Sequence, residues 1–199
     1  MQELWKELEY EIRNCKKCLL CTNRKNVVIG EGDLKANIMF IAEAPGEEED
    51  KEGRPFVGKS GNLLTKILNS VGLSREEVYM TNVVKCHPMN NRNPNIEEVE
   101  SCYPFLETQI ALVNPKLIVT IGAVSTKYIL KNRLTPDMKI TKIRGQEFEW
   151  EGGIKVIPIL HPSYLLRNSS TSEGSPKWNT WQDMKKIKEK FDMWRIENR

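Results

Sequence analysis

Four short apolar runs, separated by segments with helical spacing, most constrain how this chain can fold. They cover residues 38–42, 78–84, 117–121 and 156–160, and each is rich in β-branched or other large apolar side chains. Apolar runs of this length, bounded by polar or turn-forming residues, are typical of strands buried on both faces. A sheet made of such strands needs other elements to cover both of its faces.

The segments between the runs predict those covering elements. Residues 61–71 carry apolar side chains at the spacing of one helical face, and Gly72 is suited to end that helix. Asn95 is suited to cap a second helix that runs to Leu112. A third helix is predicted over residues 123–130, directly after the third run.

Alternation of strands and helices predicts an α/β protein with three αβα layers around a central, mostly parallel four-stranded sheet. The 199 residues fit a single domain, which spans 1–199. Residues 140–154 contain three glycines and predict a small excursion or hairpin before the fourth strand. A terminal helix should begin near Pro176, a residue favoured in the first helical turn.

Composition narrows the class of protein only weakly. Thirty basic residues against 27 acidic ones give a net charge of +3, which is too small a surplus to indicate nucleic-acid binding by itself. The first residues lack the pattern of an export signal, and no stretch approaches about 18 consecutive apolar residues. We therefore expect a cytoplasmic protein without a membrane partner, in which the five cysteines are reduced.

Polar side chains lie at the ends of three of the four predicted strands. Glu43 directly follows the first run, Asn82 lies near the end of the second, and His161 follows the fourth. Ligands of doubly wound sheets bind beyond the carboxyl ends of the strands, so these side chains should converge at one edge. Each alone has a simpler explanation, such as a strand-ending asparagine or a hydrogen-bonded core histidine. Together they indicate a candidate active site without naming its reaction.

Three separated motifs carry a family resemblance. They read Glu43-Ala44-Pro45-Gly46, Gly53-Arg54-Pro55-Phe56-Val57-Gly58 and His161-Pro162-Ser163-Tyr164-Leu165-Leu166-Arg167. In this order they resemble the motifs of family 4 uracil-DNA glycosylases, and the resemblance runs from about Cys15 to the C-terminal helix. One departure is visible, because the family motif starts with Gly-Glu and Ala42 precedes Glu43 here. The added methyl group would tighten the approach of a base to the backbone.

The resemblance implies removal of uracil from DNA and gives each strand-end residue a role. Phe56 would stack on the flipped uracil, and the Asn82 amide would read its O4 and N3. His161 would donate to O2 and stabilise the departing base as an anion. Ala42 and Asn91 match further positions of the uracil site.

Two carboxylates are candidates for handling water. Glu43 and Glu49 are expected to hold or activate water, or to stabilise an oxocarbenium-like sugar, as carboxylates do in other glycosidic cleavages. Better-known uracil glycosylases have an aspartate where Ala44 stands here, so a mechanism with an aspartate base does not carry over.

Leu165, Leu166 and Arg167 are candidate DNA-contacting residues. A leucine would enter the space that the flipped base leaves, with Arg167 on a phosphate; ordinary loop packing is the alternative. The basic residues near the motifs are candidates for contacts with the DNA backbone, and they are Arg54, Lys59, Lys85 and Arg92. Such contacts would make binding salt-sensitive.

Four of the five cysteines fit one metal centre. They are Cys15, Cys18, Cys86 and Cys102, of which the first two form a C-x2-C pair. Thiolates in this pattern suit zinc or iron–sulfur, and spacing alone does not choose between them. The family resemblance favours a [4Fe-4S] cluster that ties the N-terminal segment to the loop after the second strand. Cys21 is left as a spare, because a ferredoxin-like run would need a cysteine where Lys25 stands.

Two other functions remain open at this stage. A noncatalytic module held together by the metal would bind nucleic acid without releasing a base. A phosphate-ester hydrolase would use the acidic residues 47–50 with a divalent cation such as Mg²⁺. The resemblance implies a monomer that acts on uracil-containing single- or double-stranded DNA, contacts other repair or replication proteins, and associates with the nucleoid of a prokaryote.

Overall fold

The computed structural model describes residues 2–135 and 138–197. In this part of the chain, one sheet contains six strands: β1 (Glu31–Gly32), β2 (Ile38–Ala42), β3 (Tyr79–Asn82), β4 (Leu117–Ile121), β5 (Phe148–Glu149) and β6 (Lys155–Ile159). Their order across the sheet is β1-β3-β2-β4-β6-β5. The four central strands are parallel, and the two-residue edge strands pair antiparallel to their neighbours.

Helices lie on both faces of this sheet. They are α1 (Gln2–Arg13), α2 (Glu47–Glu52), α3 (Lys59–Ser70), α4 (Ile96–Val113), α5 (Ala123–Leu130), α6 (Ile140–Ile143), α7 (Pro162–Leu166) and α8 (Pro176–Glu197). Across residues 2–135 and 138–197, none of these helices combines the length and apolar character that a membrane span requires.

The predicted α/β class and its parallel four-stranded centre are confirmed. β2 and β4 have the predicted bounds, whereas β3 ends at Asn82 rather than at residue 84. The edge strands β1 and β5 were not predicted, because two residues are too few to show an alternating pattern. Residues 140–154 contain α6 followed by β5, which forms the predicted hairpin with β6.

Local capping explains where two helices begin. The Asn95 side chain accepts from the Glu98 backbone N–H at 2.8 Å, and the Glu98 carboxylate accepts from the Asn95 N–H at 2.9 Å. This reciprocal capping box satisfies two N–H groups at the start of α4 and confirms the predicted cap. The acidic residues 47–50 form the first turn of α2. Carboxylates are favourable there because the helix dipole is positive at its N-terminus.

Successive strand residues divide between two cores, as the two-residue period of a strand requires. Met39 and Ile41 pack with α1 and α4 on one face, whereas Ile38 and Phe40 pack with α3 and α8 on the other. Both sets are fully buried. Packing therefore holds the sheet on both faces. The positions of the side chains at its carboxyl-terminal edge are fixed as a result.

Candidate active site and metal centre

A cleft of about 710 Å³ lies at the carboxyl ends of the central strands. β2 is the first central strand in the sequence, and its neighbours β3 and β4 lie on opposite sides of it, so the chain reverses its direction of winding here. Open α/β sheets bind ligands at such a point. The cleft is lined by Glu43 after β2, Asn82 at the end of β3, and His161 after β6. The carboxylate, carboxamide and imidazole that the sequence placed at strand ends are thus brought together.

The other residues predicted for the site also line the cleft, and they are Ala42, Glu49, Phe56, Asn91 and Arg167. Sequence reasoning missed a contribution from the start of α5, where residues 122–124 form part of the wall. The sequence feature that could have indicated this contribution is Gly122, which directly follows β4. Gly122 has φ 86°, and a β-carbon there would lie 3.1 Å from His161 Cβ. Glycine therefore permits β4 and His161 to approach each other closely.

Hydrogen bonds orient the His161 ring and define its protonation. The Ser163 backbone N–H donates to His161 Nδ1 at 3.1 Å, and the Ser163 hydroxyl lies 2.8 Å from the same nitrogen. Because Nδ1 accepts, the proton of the neutral ring is on Nε2. Burial lowers the pKa of His161, and the nearby Arg167 lowers it further, while Glu49 opposes the shift. His161 is therefore a neutral hydrogen-bond donor at neutral pH.

Glu43 is half-buried beside the same cleft, and burial raises its pKa. Its backbone carbonyl accepts from the Val84 N–H at 3.2 Å, which fixes the turn after β2 against the chain that leaves β3. A desolvated carboxylate is a stronger proton acceptor than an exposed one, so Glu43 is suited to general-base chemistry.

Glu49 has a different environment from Glu43. Its Oε1 accepts from the backbone N–H groups of Val57 and Gly58, both at 2.9 Å. These bonds hold the loop that carries Phe56 at the point where α3 begins. Glu49 is therefore engaged in shaping the cleft wall, and the geometry favours Glu43 over Glu49 for handling water.

Lys85, expected to contact the DNA backbone, is instead 1% exposed, so that prediction was wrong. Its Nζ donates to the Asn82 carbonyl at 2.6 Å and to the Thr81 hydroxyl at 2.8 Å. Burial lowers the pKa of Lys85 to about 7, and the neighbouring Cys102 and Cys86 oppose that shift. The side chain therefore supports the end of β3 from inside the protein.

The two leucines of the third motif differ in exposure. Leu165 is 1% exposed and packs in the interior, whereas Leu166 is 50% exposed. Only Leu166 is free to enter a DNA stack, because Leu165 would have to leave the core first. Arg167 ends α7 and lines the cleft beside it.

Lys59 lines the cleft, as expected for a residue near bound DNA. Arg92 also lines the cleft, and Arg54 and Arg92 each form an ion pair. Arg54 Nε lies 2.7 Å from Glu31, and Arg92 Nη2 lies 2.6 Å from Glu98. Both arginine side chains remain about half exposed, at 58% and 47%, so these pairs leave part of each guanidinium open to solvent.

A second cavity lies between the N-terminal segment, the loop after β3 and α4. All four cysteines assigned to a metal line it, and they are Cys15, Cys18, Cys86 and Cys102. Cys21 also lines this cavity. Among residues 2–135 and 138–197, no three His, Cys, Asp or Glu side chains are arranged to hold a single metal ion. The fit of a metal centre therefore rests on the thiols that share this cavity.

Three of the four assigned sulfurs accept a hydrogen bond from an N–H group. Lys17 N–H donates to Cys15 Sγ at 3.5 Å, and Lys85 N–H donates to Cys102 Sγ at 3.3 Å. Arg24 Nη1 lies 3.2 Å from Cys86 Sγ, and the Leu20 backbone opposes the rise that burial causes in the pKa of Cys18. Such donors stabilise thiolates, the form of cysteine that binds metals. The donor chemistry of these four thiols therefore suits thiolate ligation, although in the described residues they are not arranged around a single metal ion.

Burial opposes ionisation of these thiols when they carry no metal. It raises the pKa of Cys102 to about 11 and raises the pKa of Cys18 and Cys86 as well. Lys85 counteracts the shift at Cys102, and Arg24 counteracts it at Cys86. Metal binding at this cavity would consequently release protons.

Comparison with known proteins places this architecture in a family. Residues 29–185 match the model of the uracil DNA glycosylase superfamily. A type-4 uracil-DNA glycosylase of Thermotoga maritima is 50% identical over 85% of this chain and 86% of its own length. The type-4 enzymes of Sulfurisphaera tokodaii and Saccharolobus solfataricus are 46% and 45% identical, over 92% and 90% of this chain and 83% and 82% of their own lengths. The chain therefore belongs to the uracil DNA glycosylase superfamily and, within it, to the type-4 uracil-DNA glycosylases.

Proposed function

We propose that this protein hydrolyses the N-glycosidic bond of uracil in DNA after flipping the base, and leaves an abasic site. The observation that carries the proposal is that Phe56, Asn82 and His161 line one cleft at the carboxyl edge of the sheet. The cleft volume of about 710 Å³ falls within the roughly 300–1,000 Å³ of small-ligand pockets. A flipped base, but not a base within a stacked duplex, can enter such a cleft.

Asn82 supplies base recognition in this proposal. Its amide offers a donor to uracil O4 and an acceptor to N3–H. Cytosine presents the opposite donor and acceptor at these positions, so a fixed amide would leave mismatched polar groups buried. Asn82 is 3% exposed, and Lys85 holds its backbone carbonyl, which limits its freedom to adapt.

His161 stabilises the leaving group. As the C1′–N1 bond breaks, its electron pair moves onto uracil and negative charge develops at O2. The Nε2–H of neutral His161 donates to that oxygen, and the Ser163 contacts at Nδ1 hold the ring in place. Removal of one such preorganised donor costs about 10²–10³ in rate in other enzymes.

Glu43 handles water on the sugar side of the bond. Its carboxylate accepts a proton from the water whose oxygen bonds to C1′, and its negative charge stabilises positive character on the sugar. Burial, which raises its pKa, keeps the carboxylate basic enough for this step. Leu166 fills the space left by the flipped base, and Arg167 contacts a phosphate of the same strand.

Cys15, Cys18, Cys86 and Cys102 are proposed to hold a [4Fe-4S] cluster. Support comes from their shared cavity, from the N–H donors to three of the sulfurs, and from the motif resemblance. Thiolate–iron bonds to such a cluster would connect the segment after α1 to the loop after β3 and to α4, and the chemistry of base release would require no electron from it. We also propose a monomer that works in the cytoplasm of a prokaryote, associated with the nucleoid and in contact with other repair or replication proteins.

Base release from a uracil-containing oligonucleotide tests the proposed activity. Wild type, His161→Ala and Asn82→Ala are compared in buffer with EDTA, and an oligonucleotide with cytosine at the same position is the substrate control. Asn14→Ala is the matched variant control, because the Asn14 side chain is exposed and bonds only locally to the Tyr10 carbonyl in the described structure.

The expected result is uracil-specific release by wild type and Asn14→Ala, with a loss of about 10²–10³ in His161→Ala. DNA binding without release by correctly metallated wild type would reject the activity and support the noncatalytic module. Activity abolished by EDTA and directed at phosphate esters would support a divalent-metal hydrolase instead.

A further inference from the structure

The residue proposed to stack on uracil has an unusual backbone conformation. Phe56 has φ 56°, in the left-handed region that bulky L-residues rarely adopt. Its ring is buried against the core on the α3 and α8 face, and it lines the cleft. A strained conformation at a functional site persists only when neighbouring contacts impose it. The contacts around Phe56 therefore reveal which residues hold the stacking surface in place.

Arg75 makes the most direct of these contacts. It lies on the 3-10 turn Arg75–Glu77, which follows α3. Its Nη1 donates to the Phe56 carbonyl at 2.8 Å, and its Nη2 donates to the Pro55 carbonyl at 2.7 Å. Two donors of one planar guanidinium thus hold two successive carbonyls, which fixes the orientation of the peptide between them.

The other sides of the Phe56 backbone are also confined. Glu49 accepts from the next two N–H groups, those of Val57 and Gly58. Gly61 packs directly against Phe56, because a β-carbon at position 61 would lie 2.1 Å from the Phe56 carbonyl carbon. Phe56 is therefore held between a guanidinium, a carboxylate and a glycine.

Arg75 is itself anchored. Its Nη1 also donates to the Thr65 hydroxyl at 3.3 Å, and its Nη2 lies 3.5 Å from the Glu31 carboxylate. The Arg75 side chain is only 15% exposed, in contrast to Arg54, which pairs with the same glutamate and is 58% exposed. Arg75 is thus held behind Phe56 and contacts the backbone of a residue that lines the cleft, without lining the cleft itself.

We infer that Arg75 is a positioning residue that holds Phe56 in the conformation required for stacking on the flipped base. This inference rests on the proposed uracil-releasing function. It predicts that Arg75 acts through Phe56, and a lysine at this position would be a poor substitute because one ammonium group cannot span both carbonyls in the same fork geometry.

A double-mutant cycle tests this inference. Single-turnover uracil release is measured for wild type, Arg75→Ala, Phe56→Ala and the double variant, at a temperature where each is folded by circular dichroism. Arg195→Ala is the matched control, since Arg195 is 58% exposed and pairs with Glu77 on the same turn at 3.4 Å. Arg75→Lys provides a second variant in case Arg75→Ala does not fold.

The expected result is a loss of about tenfold in release rate for Arg75→Ala and for Arg75→Lys, and little change for Arg195→Ala. In the Phe56→Ala background, the same Arg75 substitutions should change the rate by less than about twofold, because the side chain they position is absent. Affinity for an undamaged duplex of the same length should remain unchanged in Arg75→Lys.

Equal losses with and without Phe56 would overturn the positioning role, as would a wild-type rate in Arg75→Lys. Neither outcome would affect the proposed activity, which wild-type release alone decides. Absence of uracil release by wild type would instead reject the proposed function and the inference together.

Discussion

The chain that ends β3 and follows it contributes residues to both cavities of this protein, and the two cavities use it in different ways. The cysteine cavity is lined mainly by the segment after α1, the loop after β3 and α4, and two of its thiols are buried. The cleft at the sheet edge is lined by polar side chains from the ends of β2, β3 and β6. The first connects distant parts of the chain, whereas the second presents oriented donors and acceptors to a ligand.

We therefore expect the cysteine cavity to contribute mainly to stability and the cleft to contribute mainly to catalysis. A metal bound to four thiolates contributes folding free energy directly, whereas a cleft of fixed polar groups lowers the barrier of a reaction. The two regions meet at Lys85, whose N–H donates to Cys102 Sγ and whose Nζ donates to the Asn82 carbonyl. Substitutions in the two cavities should therefore have separable effects, except at this residue.

The largest expected effect is on stability, from Cys86→Ala. Loss of one thiolate should release the metal and lower the free energy of unfolding by at least about 5 kcal/mol, which corresponds to a Tm lower by roughly 10–20 °C. Thermal melts and iron content measure this, with Cys21→Ala as the matched control that should retain both. A normally stable Cys86→Ala protein with a much lower rate of base release would contradict the division between the cavities.

Glu43→Gln should affect chemistry alone. Loss of the proton acceptor should reduce single-turnover uracil release by about 10²–10⁴ while the Tm changes little. Glu49→Gln is the matched control, because its amide oxygen can still accept from Val57 and Gly58. A similar rate loss in both variants would show that shaping the loop, rather than accepting a proton, explains the effect.

The pH dependence of the uracil-release rate tests whether Glu43 is the proton acceptor. Burial raises the Glu43 pKa above its ordinary value of 4.5, so the active carboxylate form is lost as the pH falls through that raised pKa. The wild-type rate should therefore show an acid limb above pH 4.5, and Glu43→Gln should lack it. If the release rate of Glu43→Gln still falls at low pH, protonation of His161 would explain that fall.

Lys85→Met tests the junction between the two cavities. The carbonyl of Asn82 and the hydroxyl of Thr81 would lose a buried donor, at a cost of about 1–3 kcal/mol in the free energy of unfolding. Discrimination of uracil from cytosine should weaken, because the end of β3 is less firmly held. Unchanged stability and discrimination, measured by urea unfolding and base release, would mean that the two regions are independent even here.

The smallest expected effect comes from Leu166→Ala. This half-exposed residue should contribute less than about 0.5 kcal/mol to stability, whereas release from duplex DNA should fall by about tenfold and release from single strands should not. Leu165→Ala is the matched control, because truncation of this buried leucine should cost about 2–5 kcal/mol of stability. Equal loss on both substrates would argue against insertion of Leu166 into the duplex.

Local sequence patterns were sufficient to predict the elements that frame the site. β2, β4 and α5 follow their predicted bounds, and Asn95 caps α4 as expected. These features depend on side-chain spacing and on contacts within a few residues, both of which are visible along the chain. The strand ends then identified Glu43, Asn82 and His161, because parallel strands share one carboxyl edge.

The environment of individual side chains was decided only by the tertiary structure. Lys85 resembled a DNA-contacting cation in the sequence, yet it is buried between a carbonyl and a thiolate cavity. Leu165 and Leu166 are adjacent and chemically identical, but only one is exposed. Arg75 showed no signal at all, since the carbonyls that it holds lie 19 and 20 residues away. Sequence determined the strands, their polar ends and the cysteine set. Burial and long-range hydrogen bonds determined which side chains line the cleft and which support it from behind, because both depend on what packs against each residue.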